Sequence, residues 1–285
     1  MIVQFFKLLS MEIKKAVRNK FFCISLAAGM FFSLLSAIYS IENYMTLREE
    51  LGQIQGNPML QAFGLYNMWI GGECNSVGFV LFYSLLPILA TLPYGWGHSM
   101  DRKVGYDKML MIRTGRLPYF LSKYTAAFVS GGLAIVLPLL MNFIGTACFI
   151  PAVKPSILYD IYYPIHCGSL WSELFFSKPL LFVLCYLILD FLFAGLFACV
   201  GITISFFSEK LLTSVLMPYL LVLVLHYART LMYGRVYKEI SPLNFLHALC
   251  IENIVDGKIV FAEGAVIFIA IMVCLWWKGK KYEAI

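Results

Sequence analysis

Residues 179–207 read PLLFVLCYLILDFLFAGLFACVGITISFF, and this stretch decides the fold. It is continuously apolar and contains one charged residue, Asp190. It exceeds the roughly 20 residues that an α-helix needs to cross about 30 Å of hydrocarbon. The alternation of apolar and polar residues that is typical of a half-buried strand is absent from it. We therefore predict a membrane-spanning helix from Pro179 to Phe207, since a helix pairs its own backbone groups in lipid.

The rest of the chain repeats this pattern. Five further apolar segments run over Phe21 to Ile41, Val77 to Gly97, Tyr124 to Ile150, Leu211 to Met232 and Ile259 to Trp277. Of the 285 residues, 61% are hydrophobic and 13% are charged, whereas a soluble domain has about 45–50% and about 25%. This composition excludes an ordinary soluble enzyme. We expect an all-α integral membrane protein, with six transmembrane helices in a single domain over residues 1–285.

The basic residues predict the orientation. Fifteen Lys and Arg residues lie on one side of the six predicted spans and seven lie on the other. Because the side richer in Lys and Arg faces the cytoplasm, we expect a multi-pass protein of the cell membrane with both termini in the cytoplasm. The net charge of +6 is modest and spread over short stretches, so we expect the lipid bilayer and no nucleic acid among the partners.

Residues 1–20 combine basic and apolar side chains in a helical pattern. The apolar side chains share one face of a helix, and Lys7, Lys14 and Arg18 lie on the other. We expect an interfacial amphipathic helix on the inner leaflet, not cleaved as a signal peptide. The alternative is a disordered basic tail.

Residues 233–258 connect the last two predicted spans on the outer side. Their central part, 241–250, reads SPLNFLHALC and carries no Lys, Arg, Asp or Glu. We expect a short apolar helix there that re-enters the outer interface. Of the outward-facing cysteines Cys74, Cys167 and Cys250, at most one pair can form a disulfide; the alternative is three free thiols.

An ionisable side chain inside a membrane span is costly and marks a functional hypothesis. A tight turn, Ser208-Glu209-Lys210, joins the fourth and fifth predicted spans, and counting outward from it brings Arg229 and His226 close to the depth of Asp190. We expect Asp190 to pair with Arg229 or to hydrogen-bond with His226, with Glu263 as the rival partner of Arg229. Such a polar pair either joins helices or lines a polar pathway.

Small and polar residues form a narrow stripe on the fourth predicted span. They are Asp190 followed by Ala194, Ala198, Gly201 and Ser205. Small residues let two helix backbones approach closely in a membrane. The stripe therefore predicts the face on which another helix packs.

Motifs for chemistry within this chain are absent from the sequence. It has no Gly-x4-Gly-Lys-Ser/Thr phosphate loop, no His-x3-His or His-Glu-x2-His pair and no Cys-x2-Cys pair. We expect no catalytic residue, no metal and no cofactor in this chain. Any use of ATP has to come from a partner chain.

The segment between the second and third predicted spans is the most informative. Residues 98–123 read HSMDRKVGYDKMLMIRTGRLPYFLSK, with charges, an apolar cluster and then a basic turn. This pattern predicts a compact element that docks on a cytosolic partner. The alternative is a solvated basic loop that only satisfies the charge rule for membrane topology.

This segment resembles the loop of the type-2 ABC-transporter permease family. In chain order, the matching residues are Asp101, Arg102, Gly105, Leu110, Arg113, Thr114, Tyr119, Ser122 and Lys123. The family has an acidic residue at the first of these positions, but it is commonly Glu, so Asp101 keeps the charge and departs in length. The predicted interfacial helix, six spans, cytoplasmic termini and re-entrant segment extend the resemblance over nearly the whole chain. The resemblance implies that residues 98–122 couple to a separate ATP-binding-cassette ATPase subunit, which binds Mg-ATP. Lys103 and Arg116 belong to the same coupling segment.

The resemblance also implies a second permease subunit, identical or different, that faces this one across the pathway. We expect an exporter subunit, not an enzyme, that moves an apolar or amphipathic cargo such as a peptide, lipid or drug-like molecule. A first alternative is a proton-coupled secondary transporter that uses Asp190 and Glu263. A second is a membrane sensor or enzyme partner without transport.

Overall fold

The computed structural model describes residues 2–53, 57–231, 238–249 and 253–281. Within these ranges the chain is all-α and contains no sheet, and the one extended pairing is an isolated bridge between Lys238 and Ile254. The helices of the described part are α1 (Ile2–Val17), α2 (Lys20–Gly52), α3 (Leu65–Met68), α4 (Val77–Thr91), α5 (Gly97–Val104), α6 (Tyr106–Thr114), α7 (Arg116–Ala147), α8 (Ser172–Ser177), α9 (Pro179–Ile204), α10 (Leu211–Leu231), α11 (Pro242–Phe245) and α12 (Gly257–Lys281).

Five helices are long and apolar enough to cross a membrane: α2, α7, α9, α10 and α12. The chain is therefore a multi-pass membrane protein by helix length and hydropathy. The second predicted span, Val77 to Gly97, is not one continuous helix. Its helical part, α4, has 15 residues, which gives about 22 Å at the helical rise and falls short of about 30 Å of hydrocarbon.

The chain after Thr91 shows why α4 is short. Pro93 has no backbone N–H with which to extend the hydrogen-bond ladder. Gly95 packs so tightly that a Cβ there would lie 2.3 Å from Cγ2 of Thr91. The backbone therefore turns over residues 92–96 before α5 begins at Gly97. Hydropathy sums apolar residues over a window and does not register such a turn.

Other spanning helices extend beyond their apolar segments. Helix α2 continues to Gly52, well past Ile41, and α7 begins at Arg116 instead of Tyr124. The added turns carry charged residues, which lower the hydropathy but are good helix formers. The ends of a span predicted from hydropathy are therefore not the ends of its helix.

Helix α9 lies in the centre of the bundle and contacts α4, α7, α10 and α12. Its closest approach is to α7, where a Cβ on Gly131 would lie 2.7 Å from Cβ of Ala198 and 3.1 Å from the carbonyl oxygen of Ala194. Gly201 approaches Thr91 and the backbone of Ser214, and Ser205 is buried. The small residues of α9 thus lie where neighbouring helices pack.

Residues 2–17 form helix α1, so the disordered tail is not what is observed there. Helix α1 packs against α7 and ends just before Asn19, whose side-chain oxygen accepts a hydrogen bond from the backbone N–H of Phe22 and caps α2. The amide of Asn19 donates to the carbonyl oxygen of Pro93, 2.8 Å away. The connection between α1 and α2 is therefore fixed to the turn that follows α4.

The segment before α12 is packed into the bundle. Helix α11 follows Ser241, and Phe245 is fully buried. The backbone N–H of Ala248 donates to the carbonyl oxygen of Gly71 at 3.0 Å. A short apolar helix is thus present as expected, while residues 233–237 and 250–252, including Cys250, lie outside the described residues.

Candidate functional site

A two-helix projection follows the turn after α4 at one end of the bundle. We call residues 97–115, which hold α5 and α6, the knob. Glycine shapes both of its joints, because Gly105 has φ of +73° and Gly115 has φ of +86°. These positive φ values are in the region that glycine adopts without steric cost. The two glycines therefore let three helices, α5, α6 and α7, follow one another with no intervening loop.

Apolar and basic side chains share the exposed surface of the knob and the first turn of α7. The most exposed apolar residues are Val104, Met109, Ile112 and Leu117, with Val104 77% and Ile112 75% exposed. The exposed basic residues are Lys103, Lys108, Arg113 and Arg116. These eight residues are called the knob surface below. Exposed apolar side chains among positive charges are typical of a surface that meets a partner.

Beneath the knob lies a cluster of four charged side chains, Glu12, Lys15, Asp101 and Lys123, which we call the buried charge network; Lys15 lies at its exposed edge and the other three are buried. Lys123 Nζ lies 2.8 Å from Oε2 of Glu12 and also pairs with Asp101. Lys15 Nζ pairs with Asp101 at 2.7 Å. Two carboxylates and two ammonium groups thus join α1, α5 and α7.

Two tyrosines complete the network. The Tyr94 hydroxyl donates to Glu12 and accepts a hydrogen bond from Lys123 Nζ at 2.7 Å. The Tyr119 hydroxyl donates to Oδ2 of Asp101 at 3.4 Å. Both tyrosines are fully buried, as are the side chains of Glu12 and Lys123. Burying these charges is tolerable because each of them has an ion-pair partner, although Oε1 of Glu12 accepts no hydrogen bond.

The network shifts the proton affinity of neighbouring groups outside the spans. Burial alone would lower the pKa of Lys15, but the hydrogen bond and the negative charge of Asp101 outweigh it, so its pKa is raised. Burial, together with the positive charge of Lys123, lowers the pKa of His98 to about 4. His98 lies against the ring of Phe206, with 4.9 Å between centroids, so it is a neutral packing residue near pH 7.

The structure corrects the placement of part of the predicted coupling segment. Asp101 is 4% exposed and lies in the buried charge network, so it does not meet a partner from the surface. Arg102 Nε is 3.4 Å from Oε1 of Glu209, in the turn between α9 and α10. Thr114 donates its hydroxyl to the carbonyl oxygen of Leu110, 2.9 Å away. These residues shape and anchor the knob.

Four of the five remaining predicted coupling residues lie at the surface or at a joint, while Leu110 is half-buried and packs against the apolar core. Lys103, Arg113 and Arg116 are exposed, and Gly105 forms the joint between α5 and α6. Sequence reasoning assigned all eight coupling residues one role, because a loop sequence does not show which side chains face inward.

The predicted pairing of Asp190 is wrong. Arg229 Nη1 pairs with Oε2 of Glu239 at 2.9 Å, and His226 Nδ1 lies 2.9 Å from the hydroxyl oxygen of Ser241. Asp190 is fully buried, and neither of its carboxylate oxygens has a hydrogen-bond partner. Counting residues from the turn gave the depth along the helices but not the direction in which each side chain points.

Glu263 does not take Arg229 as its partner either. Arg229 is held by Glu239, which also accepts a hydrogen bond from Asn244 at 3.2 Å. Oε1 of Glu263 is buried without a hydrogen-bond partner. Glu239 stands between α10 and α11, and nothing in the sequence placed it against α10.

Residues that the sequence predictions missed include Glu12 of the buried charge network. Glu12 lies one turn from Leu8 and one turn from Ala16, both buried. An acidic residue on the apolar face of a helix was the available signal. Lys123 was matched as part of the family pattern, but its buried partners come from α1 and α5, which are distant in sequence.

Metal binding and disulfide formation find no support in the described residues. No group of three or more His, Cys, Asp and Glu side chains is placed to hold a metal ion in that part of the chain. Cys74 and Cys167 are both free thiols.

Comparisons with models of protein families, with curated proteins and with solved structures find no match to this chain.

Proposed function

We propose that this chain is the membrane subunit of an ATP-driven exporter of the type-2 ABC class. The observation that supports this function best is the knob surface, where apolar and basic side chains project together from the bundle. A cytosolic ATP-binding-cassette ATPase subunit, which binds Mg-ATP, is the proposed partner at this surface. The cargo is apolar or amphipathic: a peptide, a lipid or a drug-like molecule.

The anchoring of the knob supports a mechanical role for it. Lys123 and Asp101 tie the knob to the first turns of α7 and to α1, and Arg102 ties it to the turn between α9 and α10. A force applied to the knob by a closing ATPase therefore reaches three parts of the bundle through short contacts. A flexible loop would absorb such a force by bending.

The proposed topology has six crossings. Helix α4 and the turn over residues 92–96 form the sixth crossing, beside the five long helices. Both termini and the knob then lie in the cytoplasm of a cell-membrane protein, and residues 233–258 re-enter from outside. A second permease subunit, identical or homologous, faces this one across the pathway.

Co-purification tests this function. The wild-type chain, expressed in its own cell type, should retain a subunit with vanadate-sensitive ATP hydrolysis. Ile112→Glu and Arg113→Glu on the knob surface should each lower the retained activity at least tenfold. Lys210→Glu is the matched control, because Lys210 is exposed in the turn between α9 and α10 and lies outside the knob surface.

Retention of the ATPase by both knob variants would contradict the role of the knob. Complete absence of ATP hydrolysis from an intact, transport-competent preparation would contradict the whole function.

A second function, a proton-coupled secondary transporter, is favoured by one observation. Asp190 is fully buried in the middle of α9, and both of its carboxylate oxygens lack partners. Glu263, with one buried oxygen unpartnered, is the second proposed proton carrier. Transport that continues in vesicles without nucleotide and stops with an ionophore would favour this function. Dependence on internal ATP, with Asp190→Asn still active, would exclude it.

A further inference from the structure

A small cavity of about 130 Å³ lies at the end of the bundle opposite the knob. It is bordered by the C-terminal half of α2, by the segment that precedes α4 and by the connection around residue 162. Its lining includes Ser40, Asn67, Glu73 and Tyr162. The cavity lies far from the buried charge network, and the proposed exporter function does not require it.

Glu73 is a buried carboxylate without a cationic partner. It is 8% exposed, and its Oε1 accepts hydrogen bonds from the hydroxyls of Ser36, at 2.9 Å, and Ser76. Its Oε2 accepts from the backbone N–H groups of Asn75 and Ser76, both at 3.0 Å. All four donors are neutral. Within the described ranges, no Lys, Arg or His forms an ion pair with Glu73.

Ser40 gives a second, independent sign of a ligand. It lines the same cavity one helical turn beyond Ser36, and it is 2% exposed. Its hydroxyl oxygen has no hydrogen-bond partner. A buried hydroxyl without a partner is costly, so such groups normally have one. A ligand that carries N–H donors supplies that partner and also neutralises Glu73.

The size and the walls of the cavity limit the class of ligand. The cavity is large enough for several water molecules, or for an ammonium group with one or two carbons. The rings of Tyr39, Phe63 and Tyr162 border it, and the last two lie 6.5 Å apart. Aromatic faces attract cations.

The negative charge of Glu73 extends to the mouth of the cavity. Cys74 also borders the cavity and is exposed. Burial, followed by the charge of Glu73, raises the pKa of the Cys74 thiol. A cation that approaches the cavity therefore meets an attractive field.

We propose that this cavity binds a primary ammonium group, with Glu73 as the counter-charge and the Ser40 hydroxyl as an acceptor of one N–H. Two sources share this chemistry. One is the ethanolamine head of a membrane lipid, and the other is a free amine of low molecular weight. The proposal does not rest on the exporter function.

Thermal unfolding of the purified full chain in detergent tests the site. Methylammonium chloride should raise the Tm in a saturable way, by about 2–5 °C at ten times its Kd. Sodium chloride and tetramethylammonium chloride at the same concentrations should not, since neither cation has an N–H donor. An equal rise with all three salts overturns the proposal, and so does no rise with any of them.

Variants at Ser40 keep the test independent of folding. Ser40→Leu fills the cavity and removes a hydroxyl that makes no hydrogen bond, so the protein should fold and lose the methylammonium shift. Glu73→Gln should lose the shift as well, although it also weakens the cap of α4. Glu49→Gln is the matched control, because Glu49 is an exposed acid of α2 and lies outside the cavity. A full shift in Ser40→Leu overturns the proposal.

Lipid nanodiscs distinguish the two sources. If a lipid head occupies the site, the wild type should have a higher Tm in phosphatidylethanolamine than in phosphatidylcholine, and Ser40→Leu should remove that difference. If a free amine is the natural ligand, the methylammonium shift should be the same in both lipids. An absent shift in both lipids, together with no difference between them, overturns the proposal.

Discussion

At the scale of single residues, the buried charge network decides how the knob is held. Lys123 stands between Glu12 and Asp101, and its side chain is fully buried. Lys15 pairs with Asp101 from the edge, where 42% of its side chain is exposed. The two lysines belong to one cluster but differ in their access to water, and their contributions to stability should differ accordingly.

Lys123→Met should lower the free energy of unfolding by about 3–5 kcal/mol, because it leaves Glu12 and Asp101 buried with less compensation. Lys15→Met should cost less than about 1 kcal/mol, because water screens the exposed partner. Unfolding titrations in mixed micelles measure both values. Equal losses in the two variants would contradict the account of the network.

His98 contributes a pH dependence of its own. Burial, with the charge of Lys123, lowers its pKa to about 4 in the folded protein, against 6.5 for an unperturbed histidine. Between these values the unfolded chain binds a proton that the folded chain does not, so folding stability falls as the pH drops from 6.5 towards 4. Above pH 6.5 this group has no effect on stability.

The variant His98→Gln should remove this proton uptake. Below pH 6.5 the slope of the free energy of unfolding against pH should fall by up to about 1.4 kcal/mol per pH unit, and the dependence of Tm on pH should flatten accordingly. The same substitution at the exposed His166 is the control. His247 remains in both variants, and burial lowers its pKa to about 4 as well, so some slope should persist. An unchanged slope in His98→Gln would show that His98 is not held in its neutral form.

At the scale of elements, the sequence predicted the spanning helices well where they are uninterrupted. The apolar segment at Pro179 gave α9 almost to its end, since the helix stops at Ile204 instead of Phe207. The prediction of one continuous helix over Val77 to Gly97 was wrong, because the turn over residues 92–96 ends α4 although the segment is apolar throughout. The prediction of a polar partner for Asp190 was also wrong, because the direction of its side chain depends on how the helices are rotated about their axes.

The packing of α7 on α9 gives a matched pair of glycine substitutions. Gly131→Ala should destabilise the protein by about 1–3 kcal/mol, because its Cβ would lie 2.7 Å from Cβ of Ala198 on α9. Gly145→Ala, on the same helix, has no atom within 4 Å of the new Cβ and should stabilise it by about 0.4–1 kcal/mol. Thermal unfolding of both variants checks the signs. A neutral Gly131→Ala would mean that α7 and α9 are farther apart than described.

At the scale of the whole molecule, the number of crossings decides where the chain ends lie. The sequence predicted an all-α membrane protein, and the five long helices agree with that class. Six crossings place both termini on one side of the membrane, whereas five place them on opposite sides. The proposed sixth crossing depends on α4, whose 15 helical residues need the following turn to reach the far surface.

Protease protection of tags at both ends tests the six-crossing topology. Tags fused before Met1 and after Ile285 should both be digested in inside-out vesicles and both be protected in intact cells. A tag inserted in the exposed turn at Lys210 should behave like the two terminal tags and serves as the control. Opposite behaviour of the two terminal tags would exclude six crossings.

The partnership of Glu12 and Lys123 has a consequence for biosynthesis. The ribosome delivers Glu12 long before Lys123, so the earliest helix emerges with an acidic group whose counter-ion has not yet been made. A nascent chain released before α7 therefore lacks the group that seats its first helix. Final docking of α1 therefore has to follow insertion of α7. The first helix of the chain reaches its final position only after the middle of the chain has been inserted.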